Sequence, residues 1–196
     1  FFFKQKTAYE IYQCDWSSDV CSSDLSAPIF IDDTANITTT ELRTKARRLQ
    51  AEAGLDMIIV DYLQLMQGTA STKDANRVQE VSEISRGLKG LARELKVPVI
   101  ALSQLSRQAE MRESREPRLS DLRESGSIEQ DADLVLFLWR EKERGAEDAE
   151  TDGEIVNLRL AKHRNGPTGQ VQLWFRKKLT RFVSAVEEAG VAGGYG

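Results

Sequence analysis

From Pro28 onward, short apolar runs alternate with longer stretches in which apolar positions return every three or four residues. A strand buried on both faces reads as a continuous apolar run, and a covering helix reads as a stripe, so the alternation predicts an α/β fold with a mostly parallel sheet flanked by helices. Pro28 to Asp32 reads as a first strand. Thr38-Thr39-Thr40-Glu41 reads as a capping box opening a helix, with Leu42, Ala46, Leu49 and Ala53 on one face and Gly54 closing it. Met57-Ile58-Ile59-Val60-Asp61 predicts a strand buried on both faces. After a polar loop from Gln67 to Asn76, the positions Val81, Ile84, Leu88, Leu91 and Leu95 predict an amphipathic helix. Pro98 opens another buried strand, Val99 to Ser103, and Leu134 to Trp139 makes a further one.

Beyond an acidic stretch the period changes to two. Val156, Leu158 and Leu160 alternate with polar residues up to Asn165-Gly166, and Val171, Leu173 and Phe175 alternate on the far side. This predicts an antiparallel hairpin near the C-terminus, with Pro167 making its turn longer than the two-residue kind. Leu179 to Val186 reads as a short last strand, and residues 187–196 as a flexible tail.

The first 25 residues break from this order. They show no helical or strand period, contain both cysteines of the chain, Cys14 and Cys21, and resemble translated adapter sequence of the kind found at the ends of metagenomic reads. We therefore expect residues 1–25 to stand outside the native fold and residues 26–186 to form the domain. The rest of the chain has no cysteine, which fits a cytoplasmic protein.

Composition narrows the function classes. The chain has 196 residues, of which 40% are hydrophobic and 30% charged, enough for one sizeable core. Its longest apolar runs fall far short of the roughly 20 residues that cross a bilayer, so no membrane association is expected. A net charge of −4 excludes a globally basic nucleic-acid surface, leaving only local basic clusters for such contacts. One exists: Ile155 to Val186 holds no acid but carries Arg159, Lys162, Arg164, Arg176, Lys177, Lys178 and Arg181.

Four features carry candidate chemistry. Asp61 closes an apolar strand, and in open α/β sheets ligands bind at the carboxyl ends of strands. A carboxylate there can hold Mg²⁺ through water or merely cap the next turn. Gln104 ends the next strand in the same way, where its amide can bond a terminal phosphate or serve as a polar edge. Lys162 and Arg164 continue the even-numbered face of Val156, Leu158 and Leu160. There they form either an anion grip, with Arg suited to planar recognition of phosphate, or a solvated basic turn. Last, the mixed-charge segment Leu105 to Asp121 leads into Leu122-Arg123-Glu124-Ser125-Gly126-Ser127. Arg123 and the backbone N–H groups around Gly126 can there track a phosphate backbone, or the segment is simply solvated.

The runs DMIIVDYLQLM, EVSEISRGLKGLARELKVPVIALSQLSR, DLRESGSIEQDADLVLFLWR and AKHRNGPTG resemble, in order and spacing, successive motifs of the DnaB-type hexameric helicases. The resemblance covers Pro28 to about Val186 and implies a RecA-like P-loop NTPase core that forms a homohexamer and binds ATP between neighbours. It implies that Asp61 is the Walker B aspartate for Mg²⁺ and Gln104 the γ-phosphate sensor. Lys162 and Arg164 become the pair that reaches into the adjacent subunit's site, with Arg164 as the finger. Arg123, Glu124 and Gly126 become the loop on single-stranded DNA. A helicase loader and primase are the implied partners. The departures are equally plain: no G-x-x-x-x-G-K-[ST] occurs, and the family's catalytic glutamate has no counterpart. We therefore expect a truncated product with the P-loop strand missing, inactive alone, its sheet exposing an unpaired edge. The alternative is a RecA-like non-helicase ATPase, or a module that supplies an arginine finger in trans.

Overall fold

The computed structural model describes residues 2–4, 28–68, 77–106, 112, 116–140 and 153–185. The chain divides into two compact units, residues 1–104 with 122–132 and residues 105–121 with 133–196.

The first unit is a four-stranded parallel sheet with helices. Its strands are β1 (Phe2–Lys4), β2 (Ile31–Asp32), β3 (Ile58–Asp61) and β4 (Val99–Ala101), in the order β2-β1-β3-β4. Its helices are α1 (Thr39–Ala53), α2 (Arg77–Leu95) and the short α3 (Gly126–Asp131). The capping box at the head of α1 forms as the sequence predicts: the Glu41 N–H donates to Thr38 Oγ1 at 3.2 Å, and the Thr38 N–H donates to Glu41 Oε2 at 2.9 Å. Gly54 ends the helix at φ 80°, a left-handed value that a side chain would oppose. In α2 the five predicted positions Val81, Ile84, Leu88, Leu91 and Leu95 are all buried. Four of them, Val81 excepted, join Leu42 and Ala46 of α1 and Ile58 and Val60 of β3 in one core. The two helices approach closely at Gly87, where a Cβ would lie 2.8 Å from the Thr39 methyl group.

Two strands of this sheet differ from the pattern read along the chain. Residues 2–4 form β1, which pairs in parallel with both β2 and β3, Phe2 against Ile31 and Ile59. Successive phenylalanines have high strand propensity, and β1 lies between β2 and β3. Cys14 and Cys21 lie outside the described residues. The strand from Val99 is shorter than predicted and half exposed, with Ile100 at 47%, because β4 is an edge of this sheet.

The second unit is an antiparallel sheet of β5 (Leu134–Trp139), β6 (Gly153–His163), β7 (Gly169–Arg176) and β8 (Arg181–Ser184), in sequence order. The predicted hairpin is β6 and β7, joined by the long turn that Pro167 implies. Leu134 to Trp139 forms a strand but is buried on one face only. Val135, Phe137 and Trp139 point inward, while Leu134, Leu136 and Leu138 are exposed. Its partner is β6 in antiparallel register, so its apolar run serves a one-sided sheet. Asn157, opposite Trp139, is 1% exposed, and its Oδ1 accepts from the side-chain amides of Gln170 and Gln172, both at 3.3 Å.

The core of the first unit should tolerate little. Ile84→Ala, at the centre of α2, should cost about 2–5 kcal/mol, whereas exposed Val78→Ala in the same helix should stay within about 0.5 kcal/mol. Urea unfolding followed by helical circular dichroism reads this directly, because the described α-helices all belong to the first unit.

Candidate nucleotide site

Parallel pairing brings the carboxyl ends of β3 and β4 to one rim. Ile58, Ile59 and Val60 pair with Val99, Ile100 and Ala101, and one more bond follows, from the Leu102 N–H to Val60 O at 2.9 Å. Beyond that point the strands part, and an open cleft of about 390 Å³ forms between Asp61, Tyr62, Leu102, Ser103 and Gln104. The two polar strand ends singled out from the sequence thus line one cleft. Among the described residues no hydrogen bond is made by the Asp61 carboxylate or the Gln104 side-chain amide, and both residues line the cleft. The Asp61–Tyr62 peptide bond is cis.

Residues that the sequence does not flag hold this rim in place. The chain leaves β3 through a single 3₁₀ turn, Leu63–Leu65, with Leu63 buried and its N–H bonded to Leu102 O at 2.9 Å. Gln64 turns across to β4: its Nε2 donates to Ser103 Oγ at 3.0 Å and to Gln104 O at 3.2 Å, and its Oε1 accepts the Gln104 N–H at 3.2 Å. The Gln64 carbonyl accepts in turn from Arg77 Nη2 at 2.6 Å. Arg77 is ion-paired with Glu80, whose Oε1 accepts the Gly68 N–H at 2.9 Å. The first turn of α2 therefore clamps the loop that follows β3. The one sequence signal for Gln64 is its place as a lone polar residue between Leu63 and Leu65.

Asp61 is the one carboxylate lining the cleft, and among the described residues no group of three potential ligands could hold a metal by protein atoms alone. That donor set fits Mg²⁺, which keeps several waters and takes one or two carboxylates together with substrate phosphates.

The basic pair at the end of β6 departs from the predicted face. Val135 pairs with Lys162 but Leu136 with Leu160, so Ala161 is an extra residue in the strand. This bulge shifts the alternation, and Lys162 lies on the face of Val135 and Arg159, opposite to that of Leu158 and Leu160. Arg164 sits just beyond the strand, its N–H bonded to Asp133 O at 2.8 Å and its Nε 3.2 Å from Asp133 Oδ1. Arg123 and Glu124 fall in a 3₁₀ turn, Leu119–Ser125, and Gly126 opens α3. The side chains of residues 123–126 lie outside the described part of the structure.

The model of the DnaB-like helicase C-terminal domain matches residues 6–184. The chain belongs to that family. A similar relative, the replicative DNA helicase DnaC of Bacillus subtilis strain 168, is 55% identical over 170 residues, covering 85% of this chain and 37% of the relative. Among solved structures, an ATPase domain is 38% identical with a TM-score of 0.74, covering 91% of this chain and 66% of that one. A DnaB-like replicative helicase, described together with its interactions with primase, is 44% identical with a TM-score of 0.69, covering 79% of this chain and 37% of that one. The fold is therefore that of a RecA-like helicase ATPase domain. The chain spans about a third of the length of the curated helicases that it matches.

The clamp on the cleft carries a pH signature. The Gly68 N–H holds the Glu80 carboxyl below its ordinary value of 4.5; partial burial opposes this, and Arg77 adds to the lowering. A depressed carboxyl contributes stability that is complete above its unfolded value and is lost as pH falls through its folded value. Below about pH 4.5 the wild type should lose stability more steeply than Glu80→Gln, and parallel acid titrations of thermal unfolding measure the difference.

Proposed function

We propose that this chain is the part of a replicative helicase motor that senses ATP, reaches into a neighbouring subunit and contacts single-stranded DNA. The complete protein couples ATP hydrolysis to 5′ to 3′ translocation and duplex unwinding. The observation that carries this reading is the meeting of Asp61 and Gln104 on one cleft at the carboxyl rim of a parallel sheet.

In this reading the cleft receives the β- and γ-phosphates of ATP. Asp61 orients water on Mg²⁺, and the bound ion supplies charge neutralisation on the phosphate oxygens. The Gln104 amide donates to a γ-phosphate oxygen and loses that partner when the phosphate leaves. Lys162 and Arg164 act on the site of the adjacent subunit. An arginine finger there contributes about 10³ to 10⁵ in rate, because it stabilises charge that develops only in the transition state. Arg123, Glu124 and the Gly126 backbone face the DNA phosphates. A homohexamer is the assembly that lets each Arg164 serve a neighbour, and primase and a helicase loader are its cytoplasmic partners. No helix among the described residues is long and apolar enough to cross a membrane.

The phosphate-cradling Walker A loop is not among these 196 residues, so the test uses the chain joined to that loop. Single-strand-stimulated ATP turnover is measured while wild-type subunits are diluted with Arg164→Ala subunits. Activity should fall faster than the wild-type fraction, since each lost finger silences a neighbour. Turnover indifferent to both DNA and dilution would leave the fold without the helicase function.

A further inference from the structure

We propose that Gln64 is a positioning residue for nucleotide sensing: its side-chain amide extends the β3–β4 pairing past the end of the strands and so sets where Gln104 stands. This rests on the sensing role proposed for Gln104.

Regular pairing between the two strands stops at the bond from Leu102 to Val60. Gln104 lies two residues further on, exposed, with no strand beside it to take its main-chain N–H and C=O. The side chain of Gln64 does what a strand would do. One planar amide both accepts the Gln104 N–H and donates to the Gln104 carbonyl, and the same Nε2 reaches Ser103 Oγ. Only a side chain carrying a donor and an acceptor at this length makes the full set, which among the natural residues of similar shape means glutamine. A sensing amide must be held to within a fraction of an ångström to distinguish a γ-phosphate from its absence, and that demands a fixed backbone beneath it. Gln64 is itself fixed, since its carbonyl is held by Arg77, which is ion-paired with Glu80. The grip on Gln104 therefore runs back to the first turn of α2.

The experiment compares Gln64→Met, Gln64→Glu and Gln104→Ala, and the double variant Gln64→Met/Gln104→Ala, in the complete helicase. Three quantities are read: backbone amide exchange at residue 104, the relative affinity for a slowly hydrolysed ATP analogue over ADP, and kcat against KM. Gln64→Met keeps the shape but loses all three bonds. It should speed exchange at residue 104, erode the preference for the triphosphate and lower kcat about 10- to 100-fold, with KM little changed. Gln64→Glu retains the acceptor for the Gln104 N–H and should fall between Gln64→Met and wild type. The double variant should be no worse than Gln104→Ala alone, because both changes remove one function. A purely structural Gln64 would lower the melting temperature and leave kcat per folded protein and the nucleotide preference intact, which overturns the inference. Losses that add in full in the double variant also overturn it. A defect in Gln104→Ala without one in Gln64→Met overturns this inference alone. An unaffected Gln104→Ala overturns the sensing role and this inference with it.

Discussion

The site depends on the burial of β3 between its neighbouring strands and the two long helices. Ile58 and Val60 are almost completely enclosed, packed in one core with Leu42 and Ala46 of α1 and with Ile84, Leu88 and Leu91 of α2. Each such side chain contributes about 1.5–3 kcal/mol when taken from water, so the strand cannot slide or rotate without losing several of these terms together. A shift by one residue would turn Ile58 and Val60 out of the core. Asp61 is therefore delivered to the rim by the apolar residues before it, and its position needs no bond of its own carboxylate.

From that anchored strand the polar part of the site grows outward. Parallel pairing carries β4 beside β3 as far as Leu102, and the cleft opens where the pairing ends. An edge of this kind leaves main-chain groups to be satisfied, and here side chains from the loop after β3 take them up: Gln64 toward Gln104, with Arg77 and Glu80 behind it. The core fixes the carboxylate and the loop fixes the amide. Two groups of different chemistry consequently line one cleft at the carboxyl ends of adjacent strands, where ligands bind in open α/β sheets.

Most of this arrangement is legible in the sequence because it rests on local rules. The capping box at Thr38 and Glu41, the stripe from Val81 to Leu95 and the run that ends in Asp61 each state their structure within a few residues. What the sequence hides depends on pairing partners. The strand at Leu134 to Trp139 has the composition of a doubly buried strand, but it pairs antiparallel with β6 and keeps one face in water. Alternation along β6 predicts one face for Leu158, Leu160 and Lys162, and the extra residue Ala161 breaks that alternation by a register shift that only the partner strand reveals. Gln64 is hidden for a related reason, since a polar residue in an apolar turn has meaning only once the end of β4 lies opposite it. The strand at Phe2–Lys4 escapes a reading by periodicity because three residues are too few to show a period.

On the proposed function, the rim of β3 and β4 binds the phosphates of ATP and a neighbouring subunit completes the site. The structure of the complete ring with Mg²⁺ and a non-hydrolysable ATP analogue tests it most directly. The γ-phosphate should lie within hydrogen-bonding distance of the Gln104 amide, with Asp61 facing the metal's water shell and Arg164 of the adjoining subunit approaching the same phosphate. A nucleotide bound away from Asp61 and Gln104, or a site formed without Arg164 from a neighbour, would contradict it.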